Sequence, residues 1–399
     1  MKSESNTSRV SAGLAALLST AAGLAIGNLY WAQPLLAVIA ADMGVMTADC
    51  GLLVTATQVG YAIGVLLVVP LGDVLNRKRM VPAVMTASVA ALAACAFAPG
   101  FSVLAAALAL LGLTTVSGQV IIPLSGELAG PAERGRIVGI VSAGITGGIL
   151  AARALSGLAA AAVGWRGVYA AAAVANLVMA LVLYRRLPDL PKRKSVSYPK
   201  LIGGVFAAVI RIPAVPIVMA MSGLAFGVAF NLFWNGVTYL LSAGPFAMTP
   251  YQIGLVSLAG VTGAVCSIWV GRLQDAGRGI SATGVFLTMC AAAMAFALPA
   301  QAHVVAIVVV AALYSFAIQG VSVLNQARLL SFAPDMASRL NTAFVVNNFV
   351  CAAVGSALSS MLWSAWGWAG IALGAFVACS FATLMWFCSR RIIRLPQER

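Results

Sequence analysis

The chain repeats itself at half its length, and no other feature constrains the fold as much. The segment GNLYWAQPLL at 27–36 returns as FNLFWNGVTYLL at 230–241, so that Asn231 follows Asn28 at an offset of 231 − 28 = 203. The same offset pairs Pro131 with Pro334, Arg136 with Arg339, and Gly164-Trp165 with Gly367-Trp368. PLGDVLNRKRM (70–80) and GRLQDAGRG (271–279) are also alike, with Asp73 and Asp275 one position short of that offset. Such a period marks two parallel copies of one unit rather than a solenoid of short repeats, so each half must be a complete folding unit.

Hydropathy says what each copy is made of. Of 399 residues, 62% are hydrophobic and 9% charged, and the mean hydropathy is +1.00, well outside the balance of a soluble domain. A bilayer-spanning helix needs about 20 mostly apolar residues. Breaks at charged, Gly and Pro clusters then predict twelve spans, near 11–39, 50–71, 80–98, 101–124, 137–162, 167–184, 213–241, 251–270, 280–299, 303–325, 340–363 and 367–388. The expected fold is an all-α membrane protein of two six-helix bundles, 1–184 and 213–399, joined by a basic, Pro-broken linker at 185–212.

The formal net charge of +14 would suit nucleic acid, but its placement points to a membrane. With the N-terminus inside, all but Arg153 and Arg166 of the 24 lysines and arginines fall on one side, as the positive-inside rule requires. Both termini are expected in the cytoplasm, with the lipid bilayer and no nucleic acid as partner, and with the linker charges facing anionic headgroups. Lys2 and Arg9 precede an apolar run too long for a signal-peptide core, which reads as an uncleaved first helix. Seven cysteines without a C-x-x-C make neither a disulfide framework nor a metal site.

Enzymatic constellations are missing from the sequence. The single histidine, His303, excludes H-E-x-x-H, and there is neither a G-x-S-x-G elbow nor a Gly-Lys dipeptide for a phosphate loop. No enzyme activity, cofactor or metal is expected. His303, at the outer end of span 10, reads either as a solvated loop residue or as a pH sensor.

Amides and charges are expensive in lipid and normally face a bundle interior or a water-filled cavity. Here they concentrate: Asn28, Trp31 and Gln33 in span 1, Gln58 in span 2, Gln119 in span 4, Arg153 in span 5, Asn231 and Asn235 in span 7, Gln319 in span 10, and Asn347 and Asn348 in span 11. Helical spacing aligns Asn231, Asn235 and Thr238 on one face of span 7, and Ser315, Gln319, Ser322 and Gln326 on one face of span 10. These residues are candidates for a substrate cavity; the alternative is interhelical glue worth about 1 kcal/mol per bond. Arg153 is the sharpest observation. An unpaired arginine at a helix centre costs on the order of 3 kcal/mol, and all ten acidic residues sit in loops or at helix ends. Either Arg153 faces an aqueous cavity and attracts an anionic substrate, or it snorkels or bonds the backbone carbonyls of a broken neighbour. Gly60-x-x-x-Gly64 and Gly144-x-x-x-Gly148 allow close helix approach, for sliding or for static packing alike.

PLGDVLNRKR resembles motif A of the major facilitator superfamily, G-x-L-x-D-x-x-G-[RK]-[RK], between spans 2 and 3. Asp73 takes the Asp place and Arg77 and Lys78 the basic pair; Asn76 stands in the Gly place, where it is expected to make a left-handed turn. Val69 replaces the opening Gly. The second copy keeps Gly271, Asp275, Gly277 and Arg278. AGITGG in span 5 resembles antiporter motif C, G-P-x-x-G-G, with Gly147 and Gly148 matching and Ala143-Gly144 replacing Gly-Pro. NLYWAQPLL, TATQVGYAIGVLLVVPLGD and GWRGVY are similar to a bacterial subgroup of drug- and sugar-efflux-like permeases.

The resemblance implies a central cavity lined mainly by spans 1, 4, 7 and 10, and alternating access. It also implies a latch in which Asp73 docks near Arg339 at the start of span 11, where a helix N-terminus favours an anion; the half-repeat places Asp275 near Arg136. The competing reading pairs Asp73 locally with Arg77. The resulting expectation is a monomeric secondary transporter of a small, anionic organic solute in the bacterial cytoplasmic membrane. It is an efflux permease, with Asp73, Glu127 and the outer Asp42 the candidates for proton coupling. A facilitator or uptake permease, or a non-transporting sensor of the same fold, are the alternatives.

Overall fold

The computed structural model describes residues 11–129, 133–188, 198–333 and 336–394, without the side chains of Asp73, Ile268, Arg272 and Asp275. Among the described residues every regular element is helical. Eight helices are long and apolar enough to cross a membrane. Two of these, Arg134–Arg186 and Ala337–Ser389, run to 53 residues each and double back, at Gly164 (φ 69°) and Gly367 (φ 56°). Only glycine adopts such a φ without strain, and the two glycines are repeat partners, so both halves turn at the same place.

Counting each doubled helix as two gives spans 5 and 6, and spans 11 and 12. Span 1 is Ala12–Gly27 continued by Gln33–Met43; spans 2, 3 and 4 are Gly51–Gly72, Arg77–Ala96 and Phe101–Leu128. Span 7 is Ala214–Ser242, and span 8 runs from Pro250–Val256 through Ser257–Gly260 into Val261–Asp275. Spans 9 and 10 are Gly279–Ala300 and Val304–Phe332. The twelve expected spans are all present. Ser11 and Arg394, the outermost described residues, therefore lie at one end of the bundle, and His303 is exposed at the other, just ahead of span 10. At that other end the Arg166 guanidinium donates to the Asp42 carboxylate.

Three local features differ from expectation, each for a physical reason. Part of the linker is a helix, Tyr198–Arg211, whose Leu201, Val205 and Ala208 are buried; the Tyr198 hydroxyl donates to the Leu67 carbonyl at 2.6 Å. Asn76 does not make a left-handed turn: its φ is −69°, and its side chain caps span 3 by accepting from the Lys78 N–H. Span 7 widens to a π-helical stretch at Gly223–Ala229. Carbonyls in and beside this stretch accept from side chains, Ala225 from the Tyr314 hydroxyl at 2.9 Å, Gly227 from Asn231 at 3.0 Å and Met219 from Asn347 at 2.8 Å, which keeps irregular backbone satisfied inside a membrane.

The glycine motifs pack helices within one half. A Cβ on Gly60 or Gly64 would lie 2.0 or 2.3 Å from the Ala109 or Leu113 carbonyl oxygen of span 4, and one on Gly144 or Gly148 would meet Ser19 or Gly23 of span 1. Both motifs therefore lie at close helix contacts, which sliding and static packing alike require. Contacts between the halves use other glycines. At the end remote from the termini, a Cβ on Gly51 would lie 2.2 Å from the Ser360 hydroxyl, and one on Gly157 would lie 2.2 Å from the Pro250 carbonyl oxygen. A Cβ on Gly254 would in turn lie 3.1 Å from the Arg153 carbonyl oxygen. Gly51 and Gly254 are repeat partners, as are Gly157 and Ser360, so the two halves close this end through a pseudo-symmetric pair of tight contacts.

Candidate substrate cavity

Arg153 sits where spans 1, 5, 7, 8 and 10 converge. It is 2% exposed, enclosed by protein rather than reaching out to water. Its guanidinium lies 4.9 Å from the ring centre of Tyr30, 5.2 Å from that of Phe230 and 4.6 Å from that of Trp234. Three rings around a desolvated cation offset part of its burial cost, each by about 1–2 kcal/mol. Phe226, Phe230 and Trp234 follow one another at four-residue spacing in span 7, the first two stacked at 5.4 Å. That four-residue spacing is the sequence signal for the aromatic wall, which polar residues alone do not reveal.

Beside these rings lies a cavity of about 70 Å³ lined by Tyr30, Thr146, Arg153, Phe230, Trp234, Ser315 and Gln319 among others. Nε and Nη2 of Arg153, Nε1 of Trp234 and Oγ of Ser315 are buried there without a hydrogen-bond partner. The guanidinium and indole groups can only donate, and leaving such groups unsatisfied costs about 1–3 kcal/mol each. Among the described residues no acidic side chain lines the cavity. A solute that brings acceptor oxygens, a carboxylate above all, is the chemical complement of this wall.

The other expected site residues are distributed over several places. Gln319 lines the same cavity. Gln58 reaches toward Asn231 across the halves, at 3.5 Å, and Gln119 donates to the Tyr61 hydroxyl at 3.1 Å. Tyr61 in turn meets Phe349 of the opposite half at 4.3 Å between ring centres. Asn348 is buried beside Asn347, which donates to it at 3.5 Å. Asn28 and Trp31 belong to the interior of the first half: Asn28 donates to Thr115 at 3.0 Å and to Asn176 at 3.1 Å, and accepts from the Trp31 indole at 3.0 Å. Asn235 donates to Ser356 and Ser359 within the second half. Gln33 is buried in the turn Gln33–Leu35, outside the cavity.

At the motif A segment the side chains of Asp73 and Asp275 lie outside the described residues. Arg77 is buried; its Nε donates to the Gly72 carbonyl at 2.7 Å and its Nη1 pairs with Glu127 of span 4 at 3.0 Å. Glu127 as a partner of the motif went unanticipated. Arg339, at the start of span 11, lines a small recess with Val69, Pro70 and Arg77, so the two segments of the expected latch are adjacent. Lys78 is half-buried and Arg278 exposed. Arg136 is exposed and faces Glu133 of its own turn at 3.9 Å.

Twelve spans in two similar halves, with a polar, aromatic-walled cavity between them, define a multi-pass membrane transporter. The chain belongs to the Major Facilitator Superfamily, whose family model matches residues 18–360; this is a family of transporters, not of enzymes. It is 33% identical over 378 residues to the putative uncharacterized transporter YgaY of Escherichia coli strain K12, covering 95% of this chain and 96% of that protein. It is 32% identical over 380 residues to the probable transporter SCO4007 of Streptomyces coelicolor, covering 93% and 85%. Among solved structures, a bacterial homologue of the human lysosomal transporter Spinster, inward-facing and occupied, superposes with a TM-score of 0.77 over 97% of this chain and 98% of that one. At 13% identity that likeness concerns the fold.

Proposed function

We propose that this transporter exports a small organic anion across the bacterial cytoplasmic membrane by alternating access, with Arg153 binding the anionic group. The observation that carries the reading is the buried Arg153 guanidinium, boxed by three rings and with Nε and Nη2 lacking partners beside a cavity without a carboxylate. The positive-inside bias supports cytoplasmic termini. Likeness of AGITGG to the antiporter motif supports export, as does the similarity to drug- and sugar-efflux-like permeases. In this reading the protein works as a monomer. Asp73 latches against the start of span 11 when the cytoplasmic side closes, Asp275 does the same near Arg136, and proton coupling falls to carboxylates outside the cavity.

The test is a thermal-shift screen of the purified protein against organic acids, amines and neutral solutes of similar size. Anions that stabilise the wild type and leave Arg153→Ala unshifted are expected; stabilisation by cations, or equal shifts in both proteins, would refute the anion site.

A further inference from the structure

A second cavity shares no lining residue with the one beside Arg153. Between spans 9 and 12, at the end of the bundle that carries the termini, a groove of about 510 Å³ opens outward. Its long wall is one face of span 9, Ile280, Ser281, Gly284, Val285, Thr288 and Met289, which alternates apolar and hydroxyl groups over two and more turns. The opposite wall is Trp386, whose indole N–H donates to the Ile280 carbonyl at 2.9 Å and ties the two spans together at this depth. Gly284 is what lets the tryptophan lie flat: a Cβ there would fall 2.2 Å from its ring.

The mouth of the groove is cationic. Arg390 and Arg394 both line it and both are exposed, and neither has an acidic partner among the described residues. The Arg390 guanidinium is held over the Phe387 ring at 4.6 Å, pre-positioned at the rim rather than free in solvent. An apolar slot running into the membrane, a tryptophan at interfacial depth and two arginines at its mouth match the three parts of one ligand. The slot takes an acyl chain, the tryptophan the glycerol region and the arginines a phosphate. A neutral or zwitterionic lipid would fill the slot equally well but leave the two arginines uncompensated.

We propose that this groove is a binding site for an anionic phospholipid, its phosphodiester held by Arg390 and Arg394 and one acyl chain lying along Val285 and Met289. Each basic residue near a membrane surface adds about 1 kcal/mol of attraction for anionic lipid, so removal of both should cost roughly 30-fold in retention. The full chain, purified in detergent, is titrated with phosphatidylglycerol and with phosphatidylcholine and read by native mass spectrometry. Wild type should hold phosphatidylglycerol about 30-fold better than phosphatidylcholine. Arg390→Gln with Arg394→Gln should bring the two lipids level, whereas Arg185→Gln with Arg186→Gln, at the exposed end of span 6, should leave most of the preference for phosphatidylglycerol in place. Val285→Trp, which fills the slot and keeps both arginines, should also lose the lipid. Three results would each overturn the site: undiminished phosphatidylglycerol in the Arg390/Arg394 variant, an equal loss in both arginine pairs, or displacement by excess inorganic phosphate.

Discussion

Gly157 offers a way to move the conformational equilibrium with a single methyl group. It lies in span 5 where that span touches the start of span 8, and a Cβ there would lie 2.2 Å from the Pro250 carbonyl oxygen and 2.9 Å from its carbonyl carbon. Backbone cannot rotate out of the way as a side chain can, so Gly157→Ala forces the two spans apart. Overpacking of this kind costs typically 1–3 kcal/mol. The contact joins the two halves, so the cost falls on the state in which this end is closed and vanishes when the halves part. An effect of that size shifts a two-state equilibrium by about 5- to 150-fold toward the open state.

The readout is labelling, by a membrane-impermeant maleimide added from outside, of the thiol introduced by Ser360→Cys in a background without the seven native cysteines. Ser360 is 9% exposed and faces Gly51 across the same closure. Gly157→Ala should raise its labelling rate at least several-fold. Two controls separate closure from general damage. A Cβ on Gly147, in the same span, would have nothing within 4 Å, and Gly147→Ala should change neither labelling nor stability. A Cβ on Gly144 would strike Ser19 within the same half, so Gly144→Ala should lower the unfolding temperature in both states without changing accessibility. Unchanged labelling in folded Gly157→Ala, or an equal rise in Gly144→Ala, would refute the reasoning.

Three further outcomes follow from the cavity and the bundle interior. Arg153→Met replaces a buried cation by an apolar side chain of similar length, so it should abolish transport while raising ligand-free stability by about 1–3 kcal/mol, seen as a higher unfolding temperature. Trp234→Phe keeps the ring over Arg153 but removes the unpartnered indole N–H; solute affinity should fall about tenfold, the worth of a bond to a charged group, with the unfolding temperature unmoved. Asn28→Leu strands the Asn176 amide oxygen and the Trp31 indole N–H inside the first half and should lower thermal stability by about 1–2 kcal/mol, leaving affinity intact in the protein that folds.

The spans were legible because lipid leaves the backbone few options. An apolar run must close its own hydrogen bonds, and the Gly-Trp pairs at 164 and 367 marked the two tight reversals. The helix at 198–211 was obscured by the Pro and Lys around it, although Leu201, Val205 and Ala208 already carried helical spacing. At the candidate site the sequence located the polar residues but not their partners. Whether Asn28 faces a cavity or Asn176 depends on how spans 1 and 6 come together, which no local pattern encodes. The same limit explains the glycines: the spaced pairs at 60/64 and 144/148 pack within a half, while the contacts between halves use Gly51, Gly157 and Gly254, which stand in no motif. Asn76 kept its place in the motif but took a different job, because a side-chain oxygen ahead of span 3 finds the Lys78 N–H to cap.

The anion-binding role of Arg153 is tested most directly by comparing metabolites in the spent medium of cells expressing wild type, Arg153→Ala or an empty vector at matched membrane levels. The account predicts an organic anion that accumulates outside only with the wild type and returns to the empty-vector level with Arg153→Ala. A compound that wild type and Arg153→Ala export alike, or one that carries a positive charge, would contradict it.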